Sequence, residues 1–225
     1  MEQETLFHLI ALGDKASDTL LQLRSDLGEW FNNELLSNNN YHYLVALVDD
    51  YASLNKLAKV AIDDETGKLK VFVIDLSDKP RQKEWGKVLS YIWVPEDGQY
   101  DTVRKLFQIV FHNSLYIHSL ISFDFTDWRN LASGANSLKI DVLHLDESSL
   151  QQLDRWPADS FSDGKYLAVL GAPTFQKPQM DEYTKGVNTL YNRLPSDASG
   201  YWTIVGKELP KEDSYIALIQ LEPLT

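Results

Sequence analysis

The sequence predicts an α/β protein built as a small parallel-sheet domain, a long helix and a compact α+β domain. Three observations carry this prediction. Through the first hundred residues, continuous Val/Ile/Leu-rich runs alternate with helical patterns, as in a parallel sheet covered on both faces. One long amphipathic stretch follows at Asp101–His118. Beyond it short strands predominate, and the last two lie close enough in sequence to form an antiparallel hairpin. The expected boundaries are residues 1–99 for the first domain, 100–119 for the helix and 120–225 for the second domain.

Each element has its own signal. Thr5–Leu12 reads as a buried strand closed by Gly13-Asp14. The helix after it places Ala16, Leu20, Leu23, Leu27, Trp30 and Phe31 on one face, and the polar cluster Ser37–Asn40 ends it. Tyr43–Val48 is the second strand, followed by a helix carrying Tyr51, Leu54, Leu57, Ala58 and Ala61. A turn at Asp63–Gly67 leads to the strand Leu69–Ile74, and Val88–Val94 is the fourth, ended by Pro95. The long helix buries Val103, Leu106, Phe107, Val110, Phe111 and Ile117, with Asp101 as its expected N-cap. A short helix near Asp127–Ala132, strands at Leu138–Leu145 and Tyr166–Leu170, and a helix at Met180–Leu194 come next. That last helix shows Met180, Tyr183, Val187, Leu190 and Tyr191 on one face. Tyr201–Val205 and Tyr215–Leu221 close the chain, joined by the turn Lys207–Asp213.

Composition narrows the function. The 225 residues include 33 Asp+Glu against 21 Lys+Arg, a formal charge of −12, and 44% of them are apolar. This is the composition of a folded protein with a sizeable core. No Lys/Arg cluster is present, and phosphate affinity needs one, so a nucleic-acid partner is not expected. There is no cysteine, hence no disulfide, thiolate metal site or Cys nucleophile. The N-terminus, two acids and a short apolar run, reads as neither signal peptide nor membrane span, and a cytoplasmic protein is expected.

The 11 glycines are dispersed, with no Gly-x-Gly and no Gly-Lys-Ser/Thr, so a known phosphate loop is not read here. Gly13 alone stands where such a loop would be, and a single glycine there is more commonly an ordinary turn. The histidines (His8, His42, His112, His118 and His144) form no ligand pair, and no metal is expected. His8 and His144 interrupt apolar strands, where a core histidine bonded to backbone is the commoner explanation. No Gly-x-Ser-x-Gly elbow occurs. The local cluster that stands out is Ile121-Ser122-Phe123-Asp124-Phe125-Thr126-Asp127-Trp128. Asp124 and Asp127 are either a pair that holds a cation or polarises water, or a turn residue and the cap of the next helix.

That segment resembles a known family. Leu120–Leu131 is similar to the loop-to-helix segment of the tubulin-like division GTPase FtsZ, whose pattern is roughly L-I-N-x-D-F-A-D-V. Ile121, Asp124, Phe125 and Asp127 match it, while Ser122 replaces an Asn and Thr126 an Ala. The segment from Tyr166 through Gly171-Ala172-Pro173 to Leu190 resembles the family's strand, Gly-Gly-Pro turn and helix. Tyr201–Gln220 resembles its closing hairpin, and Ser90–Gly98 the strand and turn before its central helix. The shared order runs from about Val88 to Gln220. The resemblance implies a reduced tubulin/FtsZ-like architecture, with a truncated nucleotide-domain-like unit at 1–99, the central helix at 100–119 and an FtsZ-like α+β domain at 120–225.

The first half departs from the family. Where the resemblance implies glycine-rich nucleotide loops, the chain reads Leu12-Gly13-Asp14-Lys15-Ala16-Ser17 and Val48-Asp49-Asp50-Tyr51-Ala52-Ser53-Leu54. Two adjacent carboxylates repel a polyphosphate by about 1 kcal/mol or more each at close range. No cofactor is expected, and the leading expectation is a non-catalytic protein that associates with itself or with a tubulin-like polymer. In the family, the loop matching Ser122–Asp127 enters the next subunit's nucleotide pocket, which makes Asp124 and Asp127 candidates for a subunit interface. Past the last strand the chain reads Leu221-Glu222-Pro223-Leu224-Thr225, in place of the family's long linker and terminal peptide. Autonomous membrane binding is therefore not expected. The alternative is a small-molecule or nucleotide-binding enzyme with a rebuilt crevice at the strand ends, around Gly13, Asp14, Asp49 and Asp50.

Overall fold

The computed structural model describes residues 7–33, 43–63, 69–81, 85, 90–114, 123–144, 156, 161–171, 177–205 and 214–224. The expectations at Ser37–Asn40, Asp64–Gly67, Ala172-Pro173 and Lys207–Asp213, at Ser122, and on His42 and His118, lie outside the described residues. The described chain is mixed α/β, with eight strands that pair mostly in parallel. It divides into two compact units: Met1–Arg104 with Ala132–Leu138 and Pro223–Thr225, and Lys105–Leu131 with Lys139–Glu222.

In the first unit β1 (His8–Leu12), β2 (Tyr43–Val48), β3 (Lys70–Asp75) and β4 (Ser90–Trp93) pair in that order, all parallel. The start of β5 (Ala135–His144) extends the same parallel ladder. β2 shows why the apolar runs are continuous. Leu44, Ala46 and Val48 lie on one face and Val45 and Leu47 on the other, and all five are buried. Leu54, Leu57 and Ala58 of α2 (Tyr51–Asp63) cover the first face, in a cluster with Val71, Val73 and Tyr91. α1 (Asp14–Asn33) buries Ala16, Leu20 and Leu23 as expected. Leu27 is half-buried, α1 kinks at Gly28 (φ 71°), and the side chains of Trp30 and Phe31 lie outside the description.

The predicted long helix starts earlier and changes type. α3 (Gln99–Lys105) passes directly into a π-helical stretch, Leu106–Ser114. Positions 103, 106, 107, 110 and 111 suit either register, so periodicity alone does not separate an i→i+4 turn from an i→i+5 one. Asp101 lies inside the first turn, where it pairs with Arg104 at 2.9 Å, so it is not the N-cap.

In the second unit β6 (Lys165–Gly171) is the middle strand. It pairs in parallel with β7 (Ser199–Val205) and antiparallel with β8 (Tyr215–Pro223). The expected β7–β8 hairpin is corrected here: the two strands flank β6 rather than each other. β6 is buried from Tyr166 to Gly171, and such a strand satisfies its backbone only with a partner on each side. Tyr166, Ala168, Leu170, Ile204, Ile216 and Leu218 form the core with Leu190 of α5 (Lys177–Tyr191). Val187 is buried as well, while the side chains of Met180 and Tyr183 lie outside the description. α4 (Phe125–Leu131) starts two residues before its expected position.

Candidate functional site

In the first unit, the carboxyl ends of β1, β2 and β3 open on a cleft of about 410 Å³. Asp14, Lys15, Asp49, Leu76, Ser77, Asp78 and Arg81 line it. Such crevices are where open α/β sheets bind ligands. Gly13 makes the turn from β1 into α1 with φ 105°, a conformation that disfavours a side chain. The carboxylate of Asp49, one residue past β2, lies directly on that glycine. An ideal Cβ at Gly13 would stand 1.7 Å from Asp49 Oδ1. Asp49 Oδ2 accepts the Ala16 N–H at 2.9 Å, in the first turn of α1. The positive end of the helix is thus met by an acid from another element.

Asp50 does a different job. Its Oδ1 accepts the Ser53 N–H at 2.8 Å and so caps α2. The side-chain and backbone hydrogen bonds of Ser53 hold its carboxyl below the ordinary 3.8. The four residues picked from sequence for this crevice therefore divide. Gly13, Asp14 and Asp49 come together at the start of α1, and Asp50 turns to its own helix.

Beneath the cleft lies a network that the sequence reading missed. Asp75, the last residue of β3, is fully buried. Its Oδ2 accepts the Tyr91 hydroxyl at 2.5 Å and its Oδ1 the Ser77 N–H at 2.9 Å. The Tyr91 hydroxyl in turn accepts the Arg81 N–H at 3.0 Å. Burial first, and the adjacent Asp75 charge second, push the Tyr91 phenol well above its ordinary range. Arg81 Nε stands 3.4 Å from Asp75 Oδ2, an ion pair by distance without hydrogen-bond alignment. Arg81 Nη2 donates to the Asp49 carbonyl at 2.6 Å, so the buried acid braces the loop that carries Asp49. The signal available in the sequence was an acid ending an otherwise apolar strand, Val71–Asp75. On the rim, Lys15 and Asp78 face each other at 3.7 Å; Lys15 is half-buried and Asp78 exposed, and a pair so open to solvent adds little stability.

The second candidate, Asp124 with Asp127, lies in the other unit. Asp124 Oδ1 accepts the N–H groups of Thr126 (2.7 Å) and Asp127 (3.0 Å), and Asp127 Oδ2 accepts the Asp124 N–H at 3.1 Å. This is a reciprocal capping box at the start of α4. The cap is Asp124, and not Asp127 as expected, because α4 begins at Phe125. The neighbouring aromatics anchor the loop. Trp128 is fully buried with its ring 5.7 Å from that of Phe111, and Phe123 packs against Tyr201 at 6.0 Å.

His144 is exposed at the end of β5, which corrects its expected core role, and His8 is half-buried. Among the described residues, no group of three or more His, Cys, Asp or Glu is placed to hold a metal ion. None of the described helices is long and apolar enough to cross a membrane.

No family model matches the sequence, and no curated protein matches it in sequence. Solved structures match it in fold. An FtsZ dimer of M. jannaschii, solved empty, superposes with a TM-score of 0.55 at 12% identity, covering 97% of this chain and 89% of that one. A GDP-form TubZ protofilament of Bacillus thuringiensis serovar israelensis gives 0.54 at 11% identity, covering 98% and 85%. A helical model of the two-stranded TubZ-Bt filament gives 0.54 at 12%, covering 93% and 65%. A likeness at such low identity establishes the fold alone: the chain has a reduced FtsZ/tubulin-like fold.

Proposed function

We propose that this chain is a non-catalytic FtsZ/tubulin-like protein of the cytoplasm that acts by protein–protein contact, with copies of itself or with a tubulin-like polymer. The observation that carries the proposal is the Asp49 carboxylate on Gly13 and Ala16, which puts the protein's own negative charge where a phosphate would approach α1. Asp14 and Asp78 add further negative charge around the same cleft. A fold that fills its anion position internally has no need of a nucleotide there. The filaments and protofilaments among the structural neighbours support the choice of partner class. In this reading the contact includes the Asp124/Asp127 loop, whose cap holds Asp124 exposed in a fixed geometry.

Cosedimentation with a tubulin-like division GTPase tests it, alongside analytical ultracentrifugation of the chain alone. Wild type is expected to pellet with the polymer or to self-associate without nucleotide. Asp124→Ala/Asp127→Ala should lose most of that association, and Asp124→Asn, which can still cap α4, should fold normally and isolate the charge. A wild type that shows no polymer binding and no self-association overturns the proposal.

The open cleft, with Lys15 and Arg81 among its lining, favours a second reading: a small-molecule or nucleotide-binding enzyme using the crevice at Gly13, Asp14, Asp49 and Asp50. Calorimetric titration of GTP with and without Mg²⁺ separates the two, since tight binding would select this alternative.

A further inference from the structure

We infer that Asp49 is a built-in anion, a latch that occupies the start of α1, and that removing its side chain turns the cleft into a site for a small tetrahedral oxyanion. The inference deepens the nucleotide-independent reading and rests on it. The contact is intimate. Asp49 Oδ1 occupies the space a Cβ on Gly13 would need, and Oδ2 takes the Ala16 N–H at 2.9 Å. Closeness of this kind to bare backbone is what a phosphate oxygen needs at a helix start.

The acid is also held from behind, independently of its carboxylate. Its N–H donates to the Leu12 carbonyl at 3.3 Å, and its own carbonyl takes Arg81 Nη2 at 2.6 Å. Arg81 is braced on fully buried Asp75. Truncating the side chain therefore leaves the loop tied in place and opens a carboxylate-sized volume toward the cleft. Of the charged groups lining that cleft, three are acids and two are cations, Lys15 and Arg81. Losing Asp49 removes the acid that accepts the Ala16 N–H and changes the balance in the cleft from three acids and two cations to two of each. Asp50 does not replace it, because its carboxylate is engaged with Ser53.

The test is thermal denaturation of wild type, Asp49→Ala, Asp49→Gly and Asp49→Asn in inorganic phosphate and in chloride at matched ionic strength. Both truncations should gain a phosphate-specific rise in Tm of roughly 3 °C, and wild type none. Asp49→Asn should also gain none, since the amide still fills the volume and its oxygen still accepts the Ala16 N–H. Adding Lys15→Ala to Asp49→Ala should reduce the gain by about half, as one of two cations is lost. A truncated variant that responds like wild type overturns the latch. So does a phosphate-specific rise in wild type or Asp49→Asn, whether or not the truncated variants fold. The two proposals fail separately: GTP binding by wild type defeats the nucleotide-independent reading, whereas phosphate-indifferent truncations defeat the latch alone.

Discussion

Asp49 and Asp124 each place a carboxylate on backbone N–H groups at the start of a helix, yet they do so over different distances in sequence. Asp124 bonds Thr126 and Asp127, two and three residues on, and Asp127 answers it. Asp49 reaches Ala16, 33 residues back, across the gap between β2 and α1. The local cap comes with its own helix and depends on little else. The remote one exists only once β1 and β2 have paired and Arg81 has fixed the loop. The same chemistry is therefore a local device in one unit and a tertiary one in the other, and it is the tertiary one that carries the latch proposed above.

That contrast can be broken or sharpened by mutation. The largest effect is expected at Asp75, which braces the remote acid. Asp75→Ala leaves the Tyr91 hydroxyl and Arg81 without their buried partner and should cost about 3 kcal/mol, read as a fall in the urea midpoint. Gly13→Ala comes next, at about 2 kcal/mol, because it adds a collision with the Asp49 carboxylate to the strain of a positive φ. Gly134→Ala has the strain (φ 87°) without the collision and should cost about 1 kcal/mol. In an Asp49→Ala background the excess at Gly13 should vanish; if it persists, the carboxylate is not what crowds that glycine.

Smaller again is the local device. Asp124→Ala should lose about 1 kcal/mol with its helix cap, and Asp124→Asn much less. Equal losses from both would show that charge, and not the cap, does the stabilising. The smallest effect is the pH dependence from Asp50, whose carboxyl Ser53 holds below 3.8. Because the folded value is depressed, the contribution is complete above that pH and is lost as pH falls below it through the folded value. The stability gap between wild type and Asp50→Asn should therefore be constant from neutral pH down to about 5 and shrink in more acid solution. A gap unchanged at pH 3 would mean that Asp50 is not held by Ser53 in solution.

Most of the secondary structure was legible because its signals are local. Continuous apolar runs gave β2 and β3, and the spacing of Ala16, Leu20 and Leu23 gave the buried face of α1. The FtsZ-like fold was legible too, since the resemblance that implied it rests on the succession of elements along the chain. The errors share one cause. The β7–β8 pairing, the cap of α4 and the π-helical turn after α3 each depend on which neighbour a segment meets or on where a helix starts, and spacing does not report either. Asp49 and Asp50 were singled out together as acids at a strand end, but the sequence held nothing to separate them.

By itself, then, the sequence determined the α/β class, the strands buried on both faces and an acidic crevice without a glycine-rich phosphate loop. These follow from the burial periods of strand and helix and from which side chains let an anion approach backbone. Only the tertiary structure decided that β6 lies between β7 and β8, that Asp75 is buried beneath Arg81 and Tyr91, and that Asp49 rests on Gly13. Each of these joins residues far apart in the chain, and such contacts form only when strand pairing brings their backbones together.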